Sequence, residues 1–158
     1  MLRKVALATL CVAAFLAGCA APPDKPEREG FEPDGGEATG KESIRPGTDT
    51  GPAVLALLDE ARGAAKAGNL NTAQLQLERA LRIEPDNPVL WHYMAKLRLH
   101  ESRWKEARSL AAKSNTLAGA DKRLQADNWR IIAHARQGMG DERGARDAQA
   151  TARALQPQ

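Results

Sequence analysis

The chain has 158 residues, of which 42% are hydrophobic, 27% are charged and only 4% are aromatic. This composition, rich in Ala, Leu, Arg and Gln, favours helices and argues against an all-β fold. The two cysteines, Cys11 and Cys19, both lie among the first twenty residues. Their position excludes a disulfide scaffold and a cysteine-based zinc site in the rest of the chain.

The first residues have the pattern of a secretion signal. Arg3 and Lys4 precede an apolar stretch over residues 5–17, which is too short for a comfortable membrane span. A segment of this kind is removed from the mature protein. We therefore predict a signal peptide over residues 1–18.

The signal ends in Leu16-Ala17-Gly18-Cys19, which resembles the bacterial lipobox. The resemblance implies that the Cys19 thiol is acylated and that the chain is cut just before it. The two alanines that follow carry no acid, which in lipoproteins resembles sorting to the outer membrane. We therefore predict a lipid-anchored protein, with acyl chains such as palmitate, that faces the periplasm. The alternative is a plain secretory signal with an incidental cysteine.

Residues 19–52 are predicted to be the lipidated cysteine followed by a disordered tether. Six Pro and six Gly occur in residues 20–52, where Phe31 and Ile44 are almost the only large apolar residues. Such a segment cannot bury enough apolar surface to fold. It holds eight acids and four bases, whereas residues 53–158 hold twelve acids and seventeen bases. An acidic tether thus precedes a basic domain. A spacer without a motif and a recognition segment around Phe31 both remain open.

From residue 53 onward the apolar spacing is helical and repeats itself. The tetratricopeptide unit has 34 residues in a helix-turn-helix, with a large residue at position 4 and small ones at 8, 20 and 27. Positions 4, 8, 20, 24 and 27 hold Leu57, Ala61, Ala73, Leu77 and Ala80 in the first unit, Trp91, Ala95, Ala107, Ala111 and Ser114 in the second, and Trp129, Ala133, Ala145, Gln149 and Ala152 in the third. The third unit follows a four-residue insertion near 119–122.

Residues 53–158 therefore resemble a short tetratricopeptide domain. The resemblance implies an all-α fold in which three helix-turn-helix repeats form a short right-handed superhelix. We predict helices near 53–67, 70–83, 88–100, 103–117, 122–138 and 141–155. An unrelated six-helix bundle is the alternative, but it would not place small residues at equivalent positions of three units.

The sequence offers little for catalysis or metal binding. No serine lies in a nucleophile-elbow pattern, and the mature chain has no thiol besides the one expected to be acylated. The three histidines have no carboxylate at chelating spacing. We predict no enzyme activity, no metal and no cofactor.

In tetratricopeptide superhelices, positions 2, 5, 9, 12 and 13 of each first helix line the concave wall. The basic side chains and histidines expected there are Arg62, Lys66, His92, Lys96, His100, Arg130 and His134, and Asp127 is an acid at one of the same positions. They predict a basic groove for an acidic protein segment, in which the histidines add positive charge as the pH falls. The alternative is that these residues only keep the helices soluble. Nucleic acid is disfavoured by the envelope location and by the absence of a recognised motif.

A lipoprotein signal, a disordered tether and three repeats together are similar to the LpoP-type lipoproteins. The resemblance is one of architecture. It implies a periplasmic scaffold that binds and activates a bifunctional peptidoglycan synthase, a class A penicillin-binding protein, without chemistry of its own. The alternative is a general envelope adaptor that docks proteases, cell-wall hydrolases or assembly factors at the outer membrane.

Overall fold

The computed structural model describes Ile44, Pro46, Gly47 and residues 49–156. Within these residues the chain forms six helices and no strand, namely α1 (Pro52–Lys66), α2 (Leu70–Ile83), α3 (Pro88–His100), α4 (Trp104–Leu117), α5 (Lys122–Gly138) and α6 (Glu142–Ala154). Every helix end lies within one residue of its predicted position, so the all-α prediction is confirmed. The predicted signal peptide, Cys19 and Phe31 lie outside the described residues.

The helices pack as three antiparallel pairs, α1 with α2, α3 with α4, and α5 with α6. We call α1, α3 and α5 the A helices and the others the B helices. Each of the first two B helices also packs against the following A helix, and α3 contacts α5. The helices can approach closely because small alanine side chains lie at their contacts. Ala61, Ala95 and Ala107 are at most 2% exposed. The prediction of three tetratricopeptide repeats is confirmed.

All three A helices end in the same hydrogen-bonded turn. Gly68, Ser102 and Gly140 have positive φ angles of 78°, 59° and 79°. In each turn the N–H of the next residue donates to a carbonyl five residues earlier, at 2.9 Å. This Schellman motif requires a left-handed residue, which glycine adopts without strain. Ser102 adopts the same conformation at a cost of about 1–2 kcal/mol.

The predicted insertion becomes an extra helical turn. The helix α5 has 17 residues, whereas α3 has 13, and the additional residues lie at the start of α5. At its other end α5 lies directly against α4. A Cβ atom at Gly138 would come within 2.6 Å of the Trp104 ring, so only glycine permits this approach.

The last helix departs from the predicted repeat pattern. The repeat frame predicts Ala145 and Gln149 as packed positions, but both are only half-buried, and Gly144 and Ala148 are buried instead. The physical reason is that α2 and α4 each lie between two A helices, whereas α6 packs chiefly against α5. Among the described residues no further helix covers its outer side. The predicted core positions Ala145 and Gln149 are therefore wrong, whereas Ala152 is buried as predicted.

The folded unit begins earlier than the predicted boundary at residue 53. Ile44 is only 6% exposed and belongs to the core of the first two repeats. The Tyr93 hydroxyl donates to the Ile44 carbonyl at 3.1 Å. Nearer the helix, the Gly51 N–H donates to Glu84 Oε1 at 2.8 Å. The last residues of the predicted tether are therefore attached to the domain.

The small-residue contacts lead to a stability prediction. Ala111 and Ala112 are neighbours on α4, but the first is fully buried and the second is exposed. We expect Ala111→Leu to lower the free energy of unfolding by about 1–3 kcal/mol, because the contact has no room for three more carbons. Ala112→Leu is the matched control and should leave the midpoint of urea unfolding almost unchanged. Equal midpoints for the two variants would contradict the assigned packing.

Candidate functional site

A chain of buried polar side chains lies behind the middle of the A-helix wall. His92 Nδ1 donates to Asn128 Oδ1 at 2.9 Å, and Asn128 Nδ2 donates to Ser114 Oγ at 2.7 Å. The Ser114 hydroxyl then donates to the Pro88 carbonyl at 2.8 Å. All three side chains are at most 3% exposed. The chain joins α3, α4 and α5, so it fixes how the second and third repeats meet.

His92 was predicted to face the groove, but it lies in the core of the domain. Burial, together with the nearby charge of Lys96, lowers the pKa of His92 to about 3, although the hydrogen bond to Asn128 partly opposes this shift. His92 is therefore neutral at neutral and mildly acidic pH and cannot add positive charge to the groove. The reason is geometric, because position 5 turns into the core in the first two repeats. Leu58, at the equivalent position of the first repeat, is only 2% exposed.

The structure brings two of the predicted cations together around an aromatic ring. The Arg62 guanidinium lies 5.6 Å, and the Lys96 ammonium 5.8 Å, from the centre of the Tyr93 ring. Both distances allow cation–π attraction. Tyr93 itself is only 3% exposed, so its ring lies on the core side of the two cations. This cluster joins α1 to α3.

The other predicted groove residues are distributed along all three A helices. Lys66 and His134 are exposed, whereas His100 and Arg130 are half-buried. Arg130 forms an ion pair with Asp127 one turn away on α5, as Arg62 does with Asp59 at 3.5 Å on α1. We call the six side chains Arg62, Lys66, Lys96, His100, Arg130 and His134 the inner surface. Its positive charge is partly balanced by acids on the same helices.

Arg98 is a structurally important cation that the sequence analysis did not single out. It is only 8% exposed and donates to Gln74 Oε1 at 2.9 Å and to Glu101 Oε2 at 2.8 Å. Its Nε lies 3.4 Å from Glu106 Oε2. Arg98 thus ties α2 to the turn between α3 and α4. In an arginine-rich sequence no pattern distinguishes it from a solvent-exposed arginine.

Other sites are not apparent in the described part of the chain. No three His, Cys, Asp or Glu residues there are grouped to hold a metal ion. No helix among residues 49–156 is both long and apolar enough to cross a membrane. An open hollow lies beside Tyr93 between α1, α2 and α3, and its other walls are Ala61, Arg62, Ala65, Ala73, Leu77 and Leu97. This hollow adjoins the inner surface.

These helices define a tetratricopeptide-repeat domain. The chain is 36% identical to the globular C-terminal domain of P. aeruginosa LpoP, over 65% of this chain and 97% of that domain, with a TM-score of 0.63. It therefore belongs to the LpoP family. The N-terminal domain of stress-induced protein-1 (STI-1) from C. elegans has the same fold at 19% identity, with a TM-score of 0.62 over 69% of this chain and 88% of that one. Neither the protein-family models nor the curated protein sequences gave a match.

The buried histidine predicts how stability depends on pH. The unfolded chain binds a proton at His92 near pH 6.5, but the folded chain resists this proton until about pH 3. The stabilising effect is therefore complete above pH 6.5 and is lost as the pH falls below it. We expect the free energy of unfolding to decrease between pH 6.5 and 5 in the wild type, by up to about 1.4 kcal/mol per pH unit.

The matched comparison is His92→Gln against His134→Gln, measured by urea unfolding at several pH values. His92→Gln should be less stable at pH 8, because it disturbs a buried site, but should show a smaller loss between pH 6.5 and 5. His134→Gln, at an exposed position, should keep the wild-type slope. The same slope in wild type and His92→Gln would contradict the assignment of a buried, neutral His92.

Proposed function

We propose that this protein is a non-catalytic lipoprotein of the outer membrane that binds and activates a bifunctional class A penicillin-binding protein. The observation that carries the proposal is the similarity to the LpoP domain, which extends over 97% of that domain. Acylation of Cys19 would anchor the chain and leave the repeats in the periplasm. The domain would then act as a scaffold for the synthase.

Charge supports the inner surface as the docking site. Residues 53–158 carry seventeen bases and twelve acids, and Arg62 and Lys96 lie together over one ring. An acidic segment of the synthase would complement this surface, and complementary charge raises both the association rate and the specificity. The A helices supply a rigid wall because the chain of His92, Asn128 and Ser114 holds α3, α4 and α5 together.

A scaffold can activate an enzyme without supplying any reacting group. It shifts the synthase towards its active conformation only to the extent that it binds that conformation more tightly than the inactive one. A tenfold shift requires a difference of about 1.4 kcal/mol in binding free energy. One well-placed charged contact is of that size.

The length of the tether limits how far from the outer membrane the domain can contact the synthase. Because Ile44 and Gly51 are hydrogen-bonded to the domain, residues 20–43 remain between Cys19 and the first attached residue. At full extension these residues would span about 80 Å. The proposed complex must therefore form within that distance of the outer membrane.

Charge reversal on the inner surface tests the proposal. We expect Lys96→Glu combined with Arg130→Glu to weaken synthase binding at least tenfold and to abolish stimulation of glycan polymerisation, because the acidic partner would then be repelled. Wild-type affinity should also fall as salt is added. Binding is measured with the purified synthase, and circular dichroism checks that the helices are retained.

The control is Arg108→Glu combined with Arg143→Glu, which changes the net charge equally at exposed positions of α4 and α6. This variant should bind and stimulate like the wild type. Stimulation that survives in the inner-surface variant but fails in the control would place the contact on the B helices. A wild-type protein that stimulates no class A synthase, and is crosslinked in the envelope to a protease or hydrolase, would favour the general adaptor.

A further inference from the structure

The segment ahead of α1 is attached to the domain at two separate points. Ile44 is buried and accepts a hydrogen bond from Tyr93, whereas Thr50 Oγ1 accepts one from Asn87 Nδ2 at 3.0 Å. Between the two points lies a turn in which the Thr50 N–H donates to the Gly47 carbonyl at 3.1 Å. Gly47, which lies between the two points, is exposed, so the two attachments are separated by a residue that does not pack against the domain.

Ile44 lies next to one part of the predicted binding surface. The Tyr93 hydroxyl that binds its carbonyl belongs to the ring flanked by Arg62 and Lys96. A hydrogen bond to a backbone carbonyl does not depend on the side chain of the residue bound. The preference for an aliphatic side chain comes from a different contact, because the Ile44 side chain is buried in the apolar core of the first repeats. The arrangement thus recognises an aliphatic residue of a peptide chain next to two cations.

We propose that Tyr93, Arg62 and Lys96 form a peptide subsite for an aliphatic residue with an acidic residue close to it in the sequence, which Ile44 occupies until a partner segment displaces it. The inference deepens the proposed function and rests on it, since it names the chemistry of the synthase segment. The chain's own segment supplies such an acid, because Glu42 precedes Ile44 by two residues. Arg45 follows Ile44 directly, and the acidic excess lies further upstream, where residues 20–43 hold seven acids and three bases.

The covalent link explains why the subsite is filled in the free protein. A segment attached a few residues away has an effective concentration of about millimolar. A free peptide with the same contacts must compete with it, whereas a synthase that makes further contacts along the inner surface can displace it. The partner then docks by replacing Ile44 at the subsite, so docking and release of Ile44 occur together.

Peptide binding tests the competition directly. The probe is a fluorescein-labelled peptide with the sequence of residues 39–50, and the protein is the chain from Ala20 onward. We expect Ile44→Asn to bind the probe at least tenfold more tightly than the wild type in fluorescence anisotropy, because the internal competitor is removed. Ile83→Asn is the matched control, since Ile83 is 56% exposed on α2. It should bind the probe as the wild type does.

Adding Lys96→Glu to Ile44→Asn should abolish the gain. A probe that binds Ile44→Asn no more tightly than the wild type, with both proteins folded by circular dichroism, would overturn the proposal. So would a gain that is equal in Ile83→Asn, because a general loosening of the domain would then explain it.

A second measurement keeps the test decisive if Ile44→Asn unfolds. The chain from Ala20 onward has no cysteine, so Ile44→Cys introduces a single thiol. We expect this thiol to react with a maleimide at least tenfold more slowly than that of Ala53→Cys, an exposed position. An excess of the probe peptide, or of a class A synthase, should raise the rate at position 44 only.

The outcomes separate the two proposals. A synthase that binds and is stimulated without raising the rate at position 44 would leave the proposed function intact and overturn the subsite. Acceleration by the probe peptide but not by any class A synthase would support the subsite and contradict the proposed partner. Equal rates at positions 44 and 53 in the free protein would overturn the occupied state.

Discussion

The hydrogen-bonded chain from His92 through Asn128 to Ser114 constrains the rest of the domain. Its members come from α3, α5 and α4, and all are buried. Leaving one of these polar groups without its partner would cost about 1–3 kcal/mol, so the second and third repeats meet in one register. The His92 ring also contacts the Tyr93 ring edge-on, with 5.3 Å between the ring centres. The buried chain therefore supports the ring on which Arg62 and Lys96 rest.

Much of the architecture could be predicted because it is encoded locally. Small residues at equivalent positions identify the helix contacts, and Gly68 and Gly140 mark turns that need a left-handed residue. The register of the third repeat followed from the same spacing. The prediction that failed concerned which side chains of α6 face the core. Neighbouring positions on a helix differ by about 100° in direction, so Ala145 and Gly144 exchange burial when a helix has a neighbour on one side only.

The site was less predictable than the fold, since its main residues depend on contacts distant in sequence. His92 has the appearance of a groove residue, and only the position of Asn128, 36 residues away, shows why it is buried. Ile44 lies in a segment rich in Pro and Gly, and its contact is with Tyr93, 49 residues later. The one sequence feature that indicated this contact was that Ile44 is a single large aliphatic residue in a polar tether.

Site-specific crosslinking tests the central claim, that the A-helix wall holds the synthase. A photoreactive amino acid can replace Lys66 or His134 on the A helices, and Arg79 or Arg146 on the B helices, because all four positions are exposed. With the chain expressed alongside a class A penicillin-binding protein, the account predicts crosslinks from positions 66 and 134 and none from 79 and 146. Crosslinks from 79 and 146 alone would contradict it.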